Sequence, residues 1–316
     1  MSELRKTELA TTTTVSSNYA GKDAGNIIGA AFAEADTLRL NLISVAENVN
    51  FKLNLKKIAY ADGTQAYSCG FSPAGSVTLS EKVLQPTKFK NDIQVCKEDF
   101  RQTWSEDSMG ASASNPNAPA DIMEAIQVEM LSSQATKLDD DIWQGNAAAA
   151  DEFAGFIELW GSDADIIKDG NGVTGPGHSV SESTVQADLK LALAAIPVAL
   201  RRVDLVVGVS PDVFQAYQFK MISLGQANDG TSEPKQAKFG KYTLTEINGL
   251  PDDTIVCFEK SNLVFATGLQ GDHNSIDFVD EDSIGLMSGM IRGQIVYNAG
   301  VQYYNSAEIV WLLLTT

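Results

Sequence analysis

APADIMEAIQVEMLSSQATKLDDDIWQG, residues Ala118–Gly145, decides how the rest of this 316-residue chain is read. Ile122, Ile126, Met130 with Leu131, Ala135, Leu138 and Ile142 recur at helical spacing, so one stripe is apolar and the other faces are polar. Asn115-Pro116-Asn117 supplies turn residues just ahead, and Pro119 fits the first helical turn, where a missing N–H costs nothing. Asp121 and Glu124 place negative charge at the positive end of the helix dipole, and Gly145 is a natural stop. About 25 residues rising ~1.5 Å each make a rod of about 37 Å. A single capped rod of that length amid strand-like sequence is a spine on which other elements pack.

Working outward, the composition bounds the classes of protein this chain belongs to. Hydrophobic residues make up 44% and charged residues 20%, a globular balance. The longest apolar run, IVWLLL at Ile309–Leu314, is strand-sized and too short to span a bilayer. The first residues, MSELRKTELATTTTVSSNYAG, contain no apolar core of a secretory signal, so an intracellular site of synthesis is expected. Cys69, Cys96 and Cys257 form no close pair, which argues against a disulfide scaffold or a zinc knuckle. A net charge of −18 repels phosphate backbones and speaks against sequence-specific nucleic-acid binding. It suits a container whose wall must not hold the nucleic acid that slides past it.

Taken in order, residues 1–22 read as a small, polar arm. A helical period follows from Asp23 to Glu47 (Ile28, Phe32, Ala35, Leu38, Leu42, Val45). FKLNLKKI (Phe51–Ile58) alternates as a strand. Gln65–Phe100 reads as a β-hairpin, its strands broken by turns and thin in apolar residues. Such a hairpin buries little of itself and must lie on its own domain or on another copy. If it turns near Lys82, Cys69 lies roughly opposite Cys96, as a disulfide, a metal pair or two buried thiols. After the spine and a Gly/Asp-rich connector comes an α/β segment. It has a helix in Ser183–Leu200, a buried strand DLVVGVS, a helix from Ser210 to Gly225, and strands in YTLTEING, DTIVCFE and NLVFATG. SIDFVDED and the ribbon Gly289–Leu314, broken at Gly300, close the chain.

Catalytic chemistry is not visible. Gly170, Gly172 and Gly175 match GxGxxG, but Pro176-Gly177-His178 follows where a dinucleotide site needs a helix. Asp163, Asp165, Asp169 and Asn171 miss the calcium-loop spacing. The only histidines, His178 and His273, lack a metal-ligand partner in sequence, and no GxSxG or HExxH occurs. Catalytic, cofactor and metal sites are therefore expected to be none. A small-molecule enzyme built on Gly170–His178 is the reading from another class. Asp139, Asp140 and Asp141 sit at the dipole's wrong end, which marks either a solvated face or an interface to a basic group.

The order of parts resembles the major capsid protein of tailed bacteriophages, the Hong Kong 97-type fold. LDDDIWQGN (Leu138–Asn146), SNLVFATGLQGDHNSIDFVDED (Ser261–Asp282) and RGQIVYNAGVQYYNSAEIVWL (Arg292–Leu312) carry the resemblance, which covers nearly the whole chain. TLSEKVLQPTKFKNDIQVCKEDFRQTW (Thr78–Trp104) also looks like capsid proteins of phages related to those infecting Bacteroidetes-type hosts. The resemblance implies an α+β fold with an N-terminal arm (1–48), an extended-loop region (49–104), a peripheral domain with the spine helix (105–150), an axial domain (151–270) and a returning β ribbon (271–316). The extended loop, about Ser68–Cys96, would lie over a neighbouring subunit. Lys82, Lys88, Lys90, Asp139 and Asp140 are the expected subunit-interface residues, and no covalent cross-link is assigned.

The function it implies is an icosahedral shell of hexamers and pentamers enclosing double-stranded DNA, located in the virion capsid and assembled in the host cytoplasm. The implied partners are further copies of the chain, a portal protein, decoration proteins, packaged DNA held without sequence preference, and a separate scaffolding protein, because little sequence precedes Phe51. No membrane and no cofactor enter. The alternative is a nanocompartment shell of the same, encapsulin-like fold.

Overall fold

The computed structural model describes residues 36–49, 51–67, 69–70, 73–96, 120–167, 179–198, 200–202, 205–225, 236–268, 277–281 and 289–313. Its elements in order begin with α1 (Asp36–Arg39), β1 (Ser44–Ala46), β2 (Leu53–Ala61), β3 (Ser76–Leu84) and β4 (Thr87–Cys96). There follow α2 (Ala120–Gln144), α3 (Phe156–Ser162), α4 (Val185–Ala195), β5 (Leu205–Val209) and α5 (Pro211–Ser223). The remainder is β6 (Gln236–Phe239), β7 (Tyr242–Glu246), β8 (Thr254–Glu259), β9 (Leu263–Thr267), β10 (Asp277–Asp280), β11 (Met290–Tyr303) and β12 (Ile309–Leu313). The chain forms two compact units. One draws on Thr87–Leu138 and Thr267–Ala299, the other on Asp36–Pro86, Asp139–Ala266 and Gly300–Thr316.

In the first unit, β4 and β10 flank β11, and both pairings are antiparallel. The register sets Phe89 opposite Tyr297, and their rings lie 5.6 Å apart. Gln134 of α2 ties the helix to this sheet. Its Oε1 accepts from Asn91 Nδ2 at 3.1 Å, and its Nε2 donates to the Tyr297 hydroxyl at 2.8 Å. Phe89, Met130, Ala135, Leu138, Ile291, Ile295 and Ala299 are buried.

The second unit contains a mixed five-stranded sheet in the order β12-β8-β5-β7-β6, in which only β5 and β7 are parallel. One face packs on α4 and α5: Val185, Leu189 and Ala192 meet Val213, Phe214 and Tyr217 over Val207, Val209, Ile255, Cys257, Val310 and Leu312. The other face meets an aromatic cluster, in which Trp143 lies 5.4 Å from Phe156, 6.0 Å from Trp160 and 5.9 Å from Phe258. β8 is thus covered on both sides, and TIVCF is buried without a break, as a doubly covered strand must be. Cys257 sits so deep that burial pushes its thiol up to about 12. Ser210 precedes α5 as expected, but its hydroxyl accepts the Thr254 N–H at 3.1 Å and makes no cap bond. Gly225, at φ 69, ends the helix in the left-handed conformation that glycine tolerates.

The last turn of α2 holds this unit together. Asp139 and Trp143, four residues apart, face the same way. Asp139 Oδ1 accepts the Thr37 N–H at 3.0 Å, and Trp143 Nε1 donates to Thr37 Oγ1 at 2.7 Å. Gln144 Nε2 donates to the Gly249 carbonyl at 2.9 Å. Gly249 itself lies so close that a Cβ there would stand 2.3 Å from the Asp139 carbonyl oxygen.

Three expectations need correction. The helix read from Asp23 to Glu47 ends, in its described part, at Arg39, because Asn41 turns left-handed at φ 53 and Ser44–Ala46 pairs in parallel with Val264–Ala266. Residues 23–35 lie outside the described residues. The hairpin does not fold near Lys82: β3 pairs with β2 from Leu53↔Leu84 to Ala61↔Ser76, while β4 pairs with β11. Cys69 is therefore near the hairpin tip and Cys96 at the end of β4, and both thiols are free. Gly300 does not break the ribbon, which runs on to Tyr303; a Cβ at Gly300 would stand 3.0 Å from Pro86 Cα. The Gly170–His178 motif, His273, Asp169 and Asn171 lie outside the described residues.

Two outcomes follow for stability. Burial pushes the Asp139 carboxyl up, helped by Asp36 and Asp140 and opposed by the bonds from Thr37. A carboxyl raised in the folded state favours folding when protonated, and that contribution is lost as pH rises through its folded pKa. Asp139→Asn, which keeps the acceptor for Thr37, should therefore match or exceed the parent melting temperature at neutral pH and flatten its rise toward mild acid. Parallel melting-versus-pH curves for the two proteins would contradict this. Gly249→Ala forces backbone apart and should cost about 1–3 kcal/mol by chemical denaturation.

Candidate subunit interface

β2 and β3 form a two-stranded ribbon, hydrogen-bonded to each other alone among the described strands. Nine opposed pairs at ~3.3 Å per residue make it about 30 Å long. Asp62 Oδ1 accepts from both the Thr64 N–H and its hydroxyl, which turns the chain beyond β2. Opposed residues in an antiparallel pair share a face. One face therefore carries Leu53, Leu55, Lys57, Ala59 and Ala61 with Leu84, Lys82, Ser80, Thr78 and Ser76. The other carries Asn54, Lys56, Ile58 and Tyr60 with Val83, Glu81, Leu79 and Val77.

The two faces behave differently along the ribbon. At the base, Leu55 and Leu84 are buried with Val49, Val264 and Ala266, and Leu53 packs beside them. Toward the tip the opposite face is apolar and open: Ile58 is 69% exposed, Tyr60 66%, Val77 65% and Leu79 63%. These four form two adjacent cross-strand pairs, Ile58↔Leu79 and Tyr60↔Val77, bordered by Lys56 opposite Glu81. A contiguous apolar patch on an isolated ribbon is a candidate contact surface. The polar pair borders it.

The residues singled out from sequence are dispersed. Lys82 is on β3, its Nζ 3.3 Å from Asp163 Oδ2 and 3.3 Å from the Tyr303 ring centroid. Burial lowers the Lys82 pKa against the pull of Asp163. Burial works to raise the Asp163 carboxyl, but hydrogen bonds from Tyr303, the Asp165 N–H and Lys82 outweigh it and hold it low. Tyr303 is raised, first by burial and then by Asp163. Lys88 is exposed on β4 opposite Asn298, and Lys90 pairs with Asp92. An outward-facing Asp139 does not fit its 4% exposure; its carboxylate is turned inward to Thr37. Asp140 is half-buried. Ile58 and Tyr60, missed in sequence, were signalled by a change of parity: the apolar positions switch from Leu53 and Leu55 to Ile58 and Tyr60. Among the described residues no group of three or more His, Cys, Asp or Glu is placed to hold a metal, and no helix is long and apolar enough to cross a membrane.

No family model matches the chain, and no curated protein matches it in sequence. Solved structures do match. The capsid of a native GTA particle is similar over 90% of this chain and 91% of that one, at 12% identity and a TM-score of 0.61. The satellite phage P4 procapsid including size determination (Sid) protein is similar over 94% and 92%, at 13% identity and a TM-score of 0.58. The virus-like particle from Pyrococcus furiosus is similar over 92% and 98%, at 9% identity and a TM-score of 0.51. The α+β architecture is the Hong Kong 97-type capsid fold.

The asymmetry of the ribbon makes a testable contrast. Leu55→Ala, at the buried base, should lose about 2–4 kcal/mol of stability. Ile58→Ser, on the open face, should change the stability of the unassembled chain by no more than about 0.5 kcal/mol. Equal losses by urea denaturation would contradict the assignment of faces.

Proposed function

We propose that this chain is a major capsid protein, a structural subunit that assembles through itself into hexamers and pentamers of an icosahedral shell around the double-stranded DNA of a tailed phage. The observation that carries this reading is the open apolar face of Ile58, Tyr60, Val77 and Leu79 on a chain with a capsid fold. A second copy covers that face, and closed symmetry repeats the contact around each capsomer. The region 49–104 is then the extended-loop region with its flanking strands, in which the β2–β3 ribbon is the intersubunit arm; 105–150 and 271–316 are the peripheral domain, 151–270 the axial domain, and 1–48 an arm. Lys88, Lys90 and Asp140 are proposed at subunit contacts. The net charge of −18 keeps the wall from holding packaged DNA. A separate scaffolding protein, a portal protein and decoration proteins complete the partners; the P4 structure includes a size determination protein, which supports the first. The protein acts in the virion capsid after assembly in the host cytoplasm, and no catalytic role is proposed. The likeness of Thr78–Trp104 to capsid proteins of Bacteroidetes-type phages gains no support from the matched structures.

A nanocompartment shell is the second reading, favoured by the match to the Pyrococcus furiosus virus-like particle across 98% of its length. Cargo separates the two: nucleic acid in purified particles supports the phage reading, and enclosed enzyme supports the compartment. For assembly itself, expressed protein should sediment as capsomers or shells and show them by negative-stain microscopy. Ile58→Asp combined with Leu79→Asp should shift it to the slowest-sedimenting species with unchanged circular dichroism. Normal shells from the double variant would overturn the proposed interface.

A further inference from the structure

We infer that Lys57 and Lys82 form, with Asp163, Tyr303 and Asn305, a polar clasp that fixes the angle at which the β2–β3 ribbon leaves its own lobe. The inference rests on the reading of the ribbon as the intersubunit arm and concerns its regulation. The two strands are bonded to each other and to no third described strand, so only the base can set the ribbon's direction. That base has an apolar part and a charged part. Leu53, Leu55 and Leu84 form an apolar seat with Val264 and Ala266. Lys82, opposite Leu55, and Lys57, opposite Ser80 one pair further out on the same face, edge that seat.

Both lysines reach the stretch that ends β11. Lys57 Nζ donates to Asn305 Oδ1 at 2.5 Å. Lys82 Nζ donates to Asp163 Oδ2 at 3.3 Å while lying over the Tyr303 ring. The Tyr303 hydroxyl donates to that same Oδ2 at 2.7 Å, so a single carboxylate oxygen joins ribbon and lobe. Asp163 is itself held, because its Oδ1 accepts the Asp165 N–H at 2.9 Å. Gln302 Nε2 adds a weaker bond to the Val83 carbonyl at 3.4 Å.

The clasp can open without unseating the base. It borders a cavity of about 480 Å³ lined by Lys82, Ser162, Asp163, Asp165, Gln302 and Tyr303. Water there can solvate a released Lys82 and Asp163, whereas freeing Leu55 or Leu84 would expose buried apolar area. The seat is thus a pivot and the clasp a fastening. Ala61 is four positions along the strand from Lys57, a lever of ~13 Å before the tip, so a small change at the clasp is magnified where the apolar face docks.

The test measures the ribbon's direction in the unassembled full chain. Spin labels are placed at Ala61→Cys on β2 and Lys190→Cys on α4, in a Cys69→Ser, Cys96→Ser background; buried Cys257 stays unlabelled. The parent should give a narrow distance distribution. Asp163→Asn and Lys57→Met should each broaden it roughly twofold. Tyr303→Phe keeps the ring, should leave the melting temperature nearly unchanged, and should also broaden it. Distributions as narrow as the parent's in Tyr303→Phe and Lys57→Met would overturn the clasp. Ile58→Asp with Leu79→Asp leaves the clasp intact and should stay narrow. Its assembly phenotype judges the docking face separately, so the two ideas fail by different readouts.

Discussion

Thr37 hangs between two side chains of one helical turn, its N–H on the Asp139 carboxylate and its hydroxyl under the Trp143 indole. Much of the larger unit depends on that grip. It fixes where the chain enters β1, and β1 lies in register on β9 from Ser44↔Val264 to Ala46↔Ala266. β9 in turn presents Val264 and Ala266 as the floor on which Leu55 and Leu84 sit. One buried carboxylate thus stands at the head of a series of contacts that ends at the base of the ribbon. Its cost is a charge held out of water, which Thr37 offsets with a direct hydrogen bond.

The ribbon carries two apolar surfaces on opposite faces of a single strand pair. Its base is seated on its own chain, and its outer part is open. The sequence makes both by changing which alternate positions are apolar. Leu53 and Leu55 point to the seat, and Ile58 and Tyr60 point the other way. A strand that alternated uniformly would keep its apolar residues on one face and leave no open patch on the other. Lys56 and Glu81, opposed at the change, keep the outer patch from running into the seat's edge.

Most elements were legible from local pattern. The spine expected over Ala118–Gly145 is the helix Ala120–Gln144, and the strands in DLVVGVS, YTLTEING, DTIVCFE and NLVFATG stand where alternation and turn residues put them. Pairing was less legible. β2 and β3 are joined by the long connection 62–75, which carries no two-residue turn, so from local pattern Gln65–Phe100 reads as one hairpin. Pattern gives a strand's faces but not its partner, and the partner of β4 lies far along the chain in β11. The role of Asp139 is illegible in sequence for a related reason. A carboxylate at a helix C-terminus looks solvated until the one N–H it serves, on Thr37, is brought to it by tertiary structure.

That distance along the chain has a consequence for synthesis. β2 and β3 are neighbours in sequence and can pair as soon as both have left the ribosome, while β9, which floors their seat, is made much later. For that interval Leu55 and Leu84 are as uncovered as Ile58 and Leu79, and the nascent ribbon shows apolar residues on both faces. The period of greatest aggregation risk therefore falls during translation, and slower elongation between Leu84 and Leu263 would lengthen it.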